Sequence, residues 1–259
     1  MTDMRTENRF DRMERTDWID MRRIQSAKVF VAGAGALGNE VLKNLVLAGF
    51  RDITVADPDV VEVSNLSRCV LFRNRDVGRN KAEVAAGSVM DIYPEAVVKP
   101  IKDRIQSVDL EGYDIYLGCL DSISARLHLN SHAMFYQRPY VDGSTDGFRG
   151  KIQVVLPGGP CMECSMNRTH LNELHRVFSC DPAKSVKPSE PMILSSGITT
   201  TSVIAAVCVR EAIKIVCGKS DCCLDGVCYY DGMKGTFETV GLEVNPSCPN
   251  HGDGLCQLN

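Results

Sequence analysis

Residues 28–38 read KVFVAGAGALG. The apolar run KVFVA predicts a strand, and Gly33, Gly35 and Gly38 follow it in the spacing G-x-G-x-x-G. Glycines in such a turn let the backbone approach a phosphate, and the helix predicted over 36–49 offers N–H groups and a positive dipole end. The stretch predicts a nucleotide site after the first strand. It leaves open whether the nucleotide is a dinucleotide or ATP.

Apolar runs and helical patterns alternate along the first half of the chain. Further strands are predicted at 53–56, 96–101, 114–120 and 139–143, and helices at 78–92 and 124–137. This alternation predicts an α/β fold with a doubly wound, Rossmann-like, mostly parallel sheet. A strand within 149–160, a helix over 193–218 and two short strands near 227–240 predict that antiparallel strands extend it.

Composition and charge indicate which partners and which cellular location to expect. The net charge of −4 and the lack of a dense basic run argue against nucleic acid as a partner. No apolar segment approaches the roughly 20 residues of a membrane span, and the charged N-terminus lacks a signal-peptide core, so we expect a cytoplasmic protein without membrane contact. Twelve cysteines are many for such a chain. They indicate metal or nucleophile chemistry before disulfides.

The segment after the second strand separates the two nucleotides. Asp57 ends that strand, where an acid binds ribose hydroxyls in either case. Asn65, Arg68 and Lys81 follow within ADPDVVEVSNLSRCVLFRNRDVGRNKA (56–82). A triphosphate site needs such groups to screen phosphate charge, whereas a hydride-transfer enzyme does not. The competing interpretations are a solvated charged loop, a nicotinamide-dependent oxidoreductase and a scaffold that binds a partner without catalysis.

Four motifs in order carry a family resemblance: the glycine turn, DPDVVEVSNLSR (57–68), DVGRNKA (76–82) and CLDSISAR (119–126). With them the chain resembles the ubiquitin-activating-enzyme superfamily, including the small prokaryotic ThiF/MoeB/HesA-type adenylyltransferases that activate the sulfur carriers of molybdopterin and thiamine synthesis. The chain departs from the family at Cys69, where glutamine is usual, and at Ser122, where asparagine is common. Both departures adjoin matched residues.

The resemblance implies a role for each matched residue. Asp57 would bind the ribose of ATP, while Asn65, Arg68 and Lys81 would hold the triphosphate. Asp121 would bind Mg²⁺, which offsets charge as pyrophosphate leaves. The implied unit is a single adenylyltransferase domain over 1–259.

The N-terminal arm, expected to be helical over 1–25, contains NRFDRM (8–13). This segment resembles the family's Arg-aromatic-x-Arg element, which implies that Arg12 reaches into the ATP site of a partner subunit and that the enzyme is a homodimer. The alternative is that Arg12 is one more charge on an amphipathic helix.

Two cysteine pairs predict a zinc site that staples the C-terminal part. CMEC (161–164) is a C-x-x-C, and NPSCPNHGDGLC (245–256) offers Cys248 with either His251 or Cys256. Tetrahedral zinc takes such ligands, and smaller members of the family commonly carry structural zinc on two pairs. We favour Cys161, Cys164, Cys248 and His251, with Cys256 as the competing fourth ligand and with a disulfide or idle thiols as the alternative.

A crossover loop is expected over 165–190, and it contains Cys180. The family often places its catalytic cysteine there, and a thiolate at that position would accept an acyl group from AMP as a thioester. The rival interpretation is an ordinary loop cysteine, because small sulfur-carrier activators need no thioester.

The function that these patterns predict is Mg-ATP-dependent adenylation of the C-terminal glycine of a ubiquitin-like protein ending in Gly-Gly. Thioester formation on Cys180 and transfer to a conjugating enzyme would follow. Sulfur-carrier activation is the alternative within the family. We expect neither a separate cysteine domain nor a C-terminal ubiquitin-fold domain.

Overall fold

The structure is a computed structural model that describes residues 8–166 and 197–251. Its strands are β1 (Lys28–Ala32), β2 (Asp52–Ala56), β3 (Val97–Ile101), β4 (Ile115–Gly118), β5 (Tyr140–Asp146), β6 (Arg149–Val155), β7 (Val227–Asp231) and β8 (Thr236–Val240). Its α-helices are α1 (Asp11–Glu14), α2 (Met21–Ser26), α3 (Ala36–Ala48), α4 (Lys81–Ile92), α5 (Ile123–Phe135) and α6 (Ile198–Val216). Short 3-10 turns cover Val63–Ser67, Asn74–Asp76, Ile105–Ser107, Met162–Ser165 and Ser220–Cys222.

All eight strands form one sheet in the order β3-β2-β1-β4-β5-β6-β7-β8. The first five strands in this order pair in parallel. From β5 onward the pairs are antiparallel. The predicted fold class, a parallel doubly wound sheet extended by antiparallel strands, is confirmed.

Helices cover both faces of the parallel part. On one face α3, α4 and α6 bury their apolar sides against alternate strand residues such as Val29 and Val31. On the other face α5 and the Met162–Ser165 turn pack over Phe30 and Ala32. Alternation within β1 therefore supplies both cores, as expected for a strand buried on both faces.

Local sequence sets where the central helices begin and end. Gly49 follows α3 with φ of 100°, a left-handed conformation that favours glycine and that ends the helix as predicted. The helix predicted over 78–92 begins only at Lys81. Asn80 is its N-cap, because the Asn80 side chain accepts a hydrogen bond from the Glu83 N–H at 3.1 Å.

The N-terminal segment is described from residue 8 and contains two short helices, α1 and α2. Asp20 caps α2 by accepting hydrogen bonds from the N–H groups of Arg22 and Arg23. The break between the helices lies at residues 15–20, where the chain forms turns.

Two of the sequence predictions lie outside the described residues. Cys180, with most of the expected crossover loop, is one, and Cys256 is the other. Among the described residues, no helix is both long and apolar enough to span a membrane.

Candidate functional site

The strand order reverses direction between β1 and β4, which are neighbours in the sheet although β2 and β3 separate them in the chain. In open α/β sheets such a switch point opens a crevice at the carboxyl ends of the strands, where ligands bind. The glycine turn leaves β1 at this crevice, and the segment 119–122 leaves β4 beside it. Cys119 donates its backbone N–H to the Ala32 carbonyl at 2.8 Å, which joins the two segments.

The three glycines of the turn have different physical reasons to be glycine. Gly33 has φ of 95°, and a Cβ there would lie 2.5 Å from the Cys119 carbonyl oxygen. A Cβ on Gly38 would lie 2.0 Å from the Gly33 carbonyl oxygen. A Cβ on Gly35 would meet no atom of the described chain within 4 Å. Gly33 and Gly38 therefore close the turn, whereas Gly35 faces the open space at the N-terminus of α3.

Asn39 holds this turn in place, and the sequence predictions did not single it out. Its fully buried amide donates to the carbonyls of Ala34 and Gly35 at 2.7 and 3.0 Å. Its Oδ1 accepts a hydrogen bond from the Leu71 N–H at 2.9 Å. Asn39 thus fastens the glycine turn to the segment that carries Arg68. A polar residue on the buried face of an apolar helix was the available signal.

Asp57 lies beneath the same turn and is buried. One carboxylate oxygen accepts the Ala34 N–H at 2.7 Å, and the other accepts the Asp59 N–H at 2.9 Å. Burial raises the pKa of Asp57, although these two hydrogen bonds and the charge of Lys81 oppose the rise. Each oxygen keeps a lone pair for a further donor such as a ribose hydroxyl. Asp57 therefore shapes the turn and keeps acceptor capacity for a ligand.

Asn65 and Arg68 lie on the 3-10 turn Val63–Ser67 and at its end. Asn65 is buried, and its Oδ1 accepts the Glu62 N–H at 2.9 Å in a capping box. Arg68 is half-buried, and its guanidinium donates to the Ser64 carbonyl at 2.6 Å. Only one guanidinium nitrogen is used in that hydrogen bond, so the remaining N–H groups can bind an anion.

Lys81, the first residue of α4, lies close to Asp57 and forms an ion pair with Asp59 at 2.9 Å. Burial alone would lower the pKa of Lys81, but the bond to Asp59 and the charge of Asp57 outweigh it and the pKa is raised. Asn80 ties this corner together, since its amide donates to the carbonyls of Asp57 and Asp59, both at 3.0 Å. Neither Asp59 nor Asn80 was among the predicted site residues.

Cys69, one departure from the family pattern, is buried next to Arg68, Lys81 and Asp57. Burial raises the pKa of its thiol to about 11, even though the two cations lower it. The thiol therefore stays protonated at neutral pH. A protonated, buried thiol is a poor nucleophile, so Cys69 serves packing.

Asp121 is exposed in the segment after β4, two residues from the Cys119 carbonyl that contacts the glycine turn. Beneath it, the Arg126 guanidinium donates to the Leu120 carbonyl and pairs with Asp142 at 3.3 Å. The Tyr140 hydroxyl donates to the same buried carboxylate at 2.7 Å. Burial raises the pKa of Asp142, and the Arg126 charge opposes the rise. This buried network fixes the Asp121 segment against β5.

Arg12 does not join the nucleotide residues of its own chain. It lies exposed on α1, and its neighbour Phe10 packs against Gly49 at the far end of α3 from the glycine turn. At 1.5 Å per residue, the 13 residues of α3 span about 20 Å. An arginine side chain is far shorter than that distance.

Cys161, Cys164, Cys248 and His251 come together as predicted, with one ligand atom from each lying within 4.8 Å of every other. The Cys161 sulfur lies 3.9 Å from that of Cys164 and 3.6 Å from that of Cys248. Tetrahedral zinc with Zn–S bonds of about 2.3 Å separates its sulfurs by about 3.8 Å. The cluster thus has the donor set and spacing of a structural zinc site.

His251 takes the fourth place in this cluster. Its buried Nε2 has no hydrogen-bond partner among the described residues, as expected of a nitrogen that binds a metal ion. The backbone brings it there, since the His251 N–H bonds the Cys248 carbonyl at 3.0 Å. The competing ligand, Cys256, lies outside the described residues.

The fold is similar to that of solved MccB structures from E. coli. The structure with succinimide superposes with a TM-score of 0.79 over 97% of this chain and 75% of that chain, at 22% identity. The structure with ATP gives a TM-score of 0.77 over 95% of this chain and 75% of that chain, at 23% identity. At 22% and 23% identity, these similarities show a shared fold.

Sequence comparison gives more similar relatives. The NEDD8-activating enzyme E1 catalytic subunit of Arabidopsis thaliana is 32% identical over 88% of this chain. This chain spans 66% of that protein's length. The SAMP-activating enzyme E1 of Haloferax volcanii is also 32% identical, over 90% of this chain and 83% of its own length.

The expectation of an activating enzyme of this superfamily agrees with both relatives. The profile of the ThiF family matches residues 9–250, which cover the glycine turn, the segment 56–82, α5 and the three cysteines of the candidate metal site. The chain belongs to the ThiF family.

Proposed function

We propose that the protein uses Mg-ATP to adenylate the C-terminal glycine of a small ubiquitin-like protein. Family membership supports the reaction class, and relatives named for NEDD8 and SAMP activation support the substrate class. The observation that carries the proposal is the open space before Gly35. It lies at the N-terminus of α3, beside Ala34, whose N–H bonds to Asp57, and Asp57 in turn lies close to Lys81.

Each side chain has a task that its surroundings fit. Asp57 binds the ribose, while the N-terminus of α3, Asn65, Arg68 and Lys81 hold the phosphates. Asp121 is an exposed carboxylate at the crevice, and such oxygens are the ligands that Mg²⁺ prefers. The terminal carboxylate of the carrier attacks the α-phosphorus and pyrophosphate leaves. Charge accumulates on the phosphate oxygens in this step, and these cations offset it.

Arg12 serves the partner's nucleotide site in a homodimer. The proposal rests on the anchoring of Phe10, two residues before Arg12, at the end of α3 opposite the glycine turn, about 20 Å along that helix. In the dimer, Arg12 reaches the phosphates of ATP bound to the partner subunit, whereas it does not reach those bound to its own subunit.

The cysteine–histidine cluster holds structural zinc. Cys161 and Cys164 belong to the 3-10 turn that follows β6, and Cys248 and His251 to the segment after β8, so the ion joins two distant parts of the chain. A structural zinc contributes directly to the free energy of folding.

After adenylation, the Cys180 thiolate attacks the acyl carbon, AMP leaves, and the thioester is handed to a conjugating enzyme. Cys180 lies outside the described residues, and this step is a proposal from the family resemblance. Activation of a sulfur carrier without a thioester is the second candidate within the same family. The predicted cytoplasmic location stays a prediction.

ATP–pyrophosphate exchange with a purified carrier tests the adenylation step. Asp121→Ala and Arg68→Ala should each lower the exchange rate roughly 100- to 1,000-fold, while the thermal unfolding temperature stays within the range of the wild type. Cys180→Ala should keep the exchange and lose the thiol-sensitive covalent carrier adduct. Near-normal exchange by both phosphate-site variants would refute ATP use, and an adduct that survives in Cys180→Ala would assign another nucleophile.

A further inference from the structure

Phe10, immediately before α1, is anchored in a pocket at the ends of α3 and α4. Its ring packs edge-to-face on Tyr93, with centroids 5.4 Å apart and planes at 80°. A Cβ on Gly49 would lie 3.2 Å from the Phe10 ring, so the missing side chain makes room for it. Both aromatic rings are buried. Phe10 thus docks the N-terminal segment on its own subunit.

Arg9 strengthens the same contact from the surface. Its guanidinium carbon lies 4.7 Å from the centre of the Tyr93 ring, and it donates to the Ile92 carbonyl at the end of α4. Arg51 holds the tyrosine from another side, since its Nε donates to the Tyr93 hydroxyl at 2.7 Å. Tyr93 is therefore held in place, and both Arg9 and Phe10 pack against its ring.

Helix α1, which carries Arg12, begins directly after Phe10. The Phe10 carbonyl accepts the N–H groups of Met13 and Glu14 at 2.8 and 3.0 Å, which closes the first turn of α1. Phe10 is buried, while Arg12, two residues later, is exposed. A short helix of four residues has little stability alone, so its orientation depends on the anchor.

We propose that Arg9, Phe10 and Tyr93 form a clamp that aims Arg12 at the partner subunit's nucleotide site. The inference rests on the proposed role of Arg12. The three clamp residues touch no substrate and act through Arg12, so they are positioning residues. They lie in one subunit, and their effect is felt in the site of the other.

The clamp makes a prediction that distinguishes action within one subunit from action across the dimer. Arg9→Ala removes the contact with the tyrosine ring and the bond to Ile92, and it changes an exposed side chain. We expect it to lower ATP–pyrophosphate exchange roughly 10- to 100-fold, because a small misplacement of a catalytic group has costs of that order. Arg22→Ala, which removes an exposed arginine from α2, is the matched control and should keep full exchange.

Mixed dimers then locate the defect. Arg9→Ala subunits exchanged with Asp121→Ala subunits should regain activity, because the intact Asp121 site receives an intact arm. Arg9→Ala mixed with Arg12→Ala should show no gain over Arg9→Ala alone, because each dimer then lacks a correctly placed Arg12. A defect within the subunit would give the reverse pattern, with rescue by Arg12→Ala and none by Asp121→Ala. Phe10→Leu, which keeps an apolar side chain, should behave as Arg9→Ala does.

The mixture of Arg12→Ala with Asp121→Ala tests the proposed function separately. Its failure after confirmed subunit exchange would overturn the shared site itself. Rescue in that mixture together with the reverse pattern for Arg9→Ala, or full activity of Arg9→Ala alone, would overturn only the clamp.

Discussion

Replacing Gly35 by alanine should separate nucleotide binding from folding. Gly35 has φ of −71° and ψ of −159°, which alanine adopts without strain, and an added Cβ meets no atom of the described chain within 4 Å. At compatible positions glycine-to-alanine changes stabilise proteins by about 0.4–1 kcal/mol through the unfolded chain. Gly35 is the N-cap of α3, and the weaker N-cap preference of alanine offsets that gain. The folded protein should therefore tolerate Gly35→Ala. The new methyl group occupies the space that we assign to a phosphate.

The neighbouring glycines supply the contrast. Gly33→Ala would strain a residue with φ of 95° and place its Cβ 2.5 Å from the Cys119 carbonyl. The left-handed conformation alone costs alanine about 1–2 kcal/mol, and the backbone contact adds to it. Gly38→Ala is more severe, with its Cβ 2.0 Å from the Gly33 carbonyl. Both variants should unfold at lower temperature than the wild type, whereas Gly35→Ala should not.

Thermal unfolding and the ATP dependence of pyrophosphate exchange measure the two effects. For Gly35→Ala we expect an unfolding temperature close to that of the wild type, and a KM for ATP raised roughly tenfold or more, about 1.4 kcal/mol of lost binding. Gly87→Ala is the control, since Gly87 lies in α4 and its Cβ also meets no described atom within 4 Å. It should leave the KM unchanged. A wild-type KM for Gly35→Ala would refute a phosphate at this position.

Metal removal and pH test two other parts of the site. His251→Ala should lose zinc and unfold at lower temperature, whereas Ser247→Ala, which changes an exposed side chain of the same segment, should retain about one zinc per chain; equal metal content in both would contradict the assigned ligand. The raised pKa of Lys81 means that its pairing with Asp59 stabilises the fold below about pH 10.4 and that this stability is lost as pH rises through the higher folded-state value. The free energy of unfolding of the wild type should therefore fall more steeply above pH 10 than that of Asp59→Asn, by under about 1 kcal/mol, and parallel curves would contradict the ion pair.

Periodic apolar patterns predicted most of the fold because the strands are buried and the helices are long. The run KVFVA fills both faces of the sheet, and Gly49 ends α3 where a left-handed residue was expected. Short polar elements escaped prediction. The 3-10 turn Val63–Ser67, which carries Asn65, has no apolar period, and the N-cap role of Asn80 shifted the start of α4 by three residues.

The candidate site was predicted where the chemistry resides in residue types at fixed spacing. The candidate metal cluster is such a case, because three thiols and an imidazole in two short pairs indicate a metal site wherever the chain brings them together. Asn39, Asp59 and Arg126 were missed for a different reason. Each acts by bonding to another part of the site. Asn39 bonds to the Ala34 carbonyl and Asp59 to Lys81. Arg126 bonds to the Leu120 carbonyl and to Asp142. Such bonds depend on long-range contacts that a single sequence does not display.

Helix α3 connects the N-terminal arm physically to the candidate nucleotide site. At its N-terminus, Gly35 and the free N–H groups face the phosphate space. At its C-terminus, Gly49 makes room for Phe10 and so for the arm that carries Arg12. In the proposed mechanism, the same helix receives ATP at one end and directs Arg12 to the other subunit from the opposite end. If the shared site holds, each subunit can adenylate only when its partner's arm is docked. Activity at low protein concentration should then fall as the dimer dissociates.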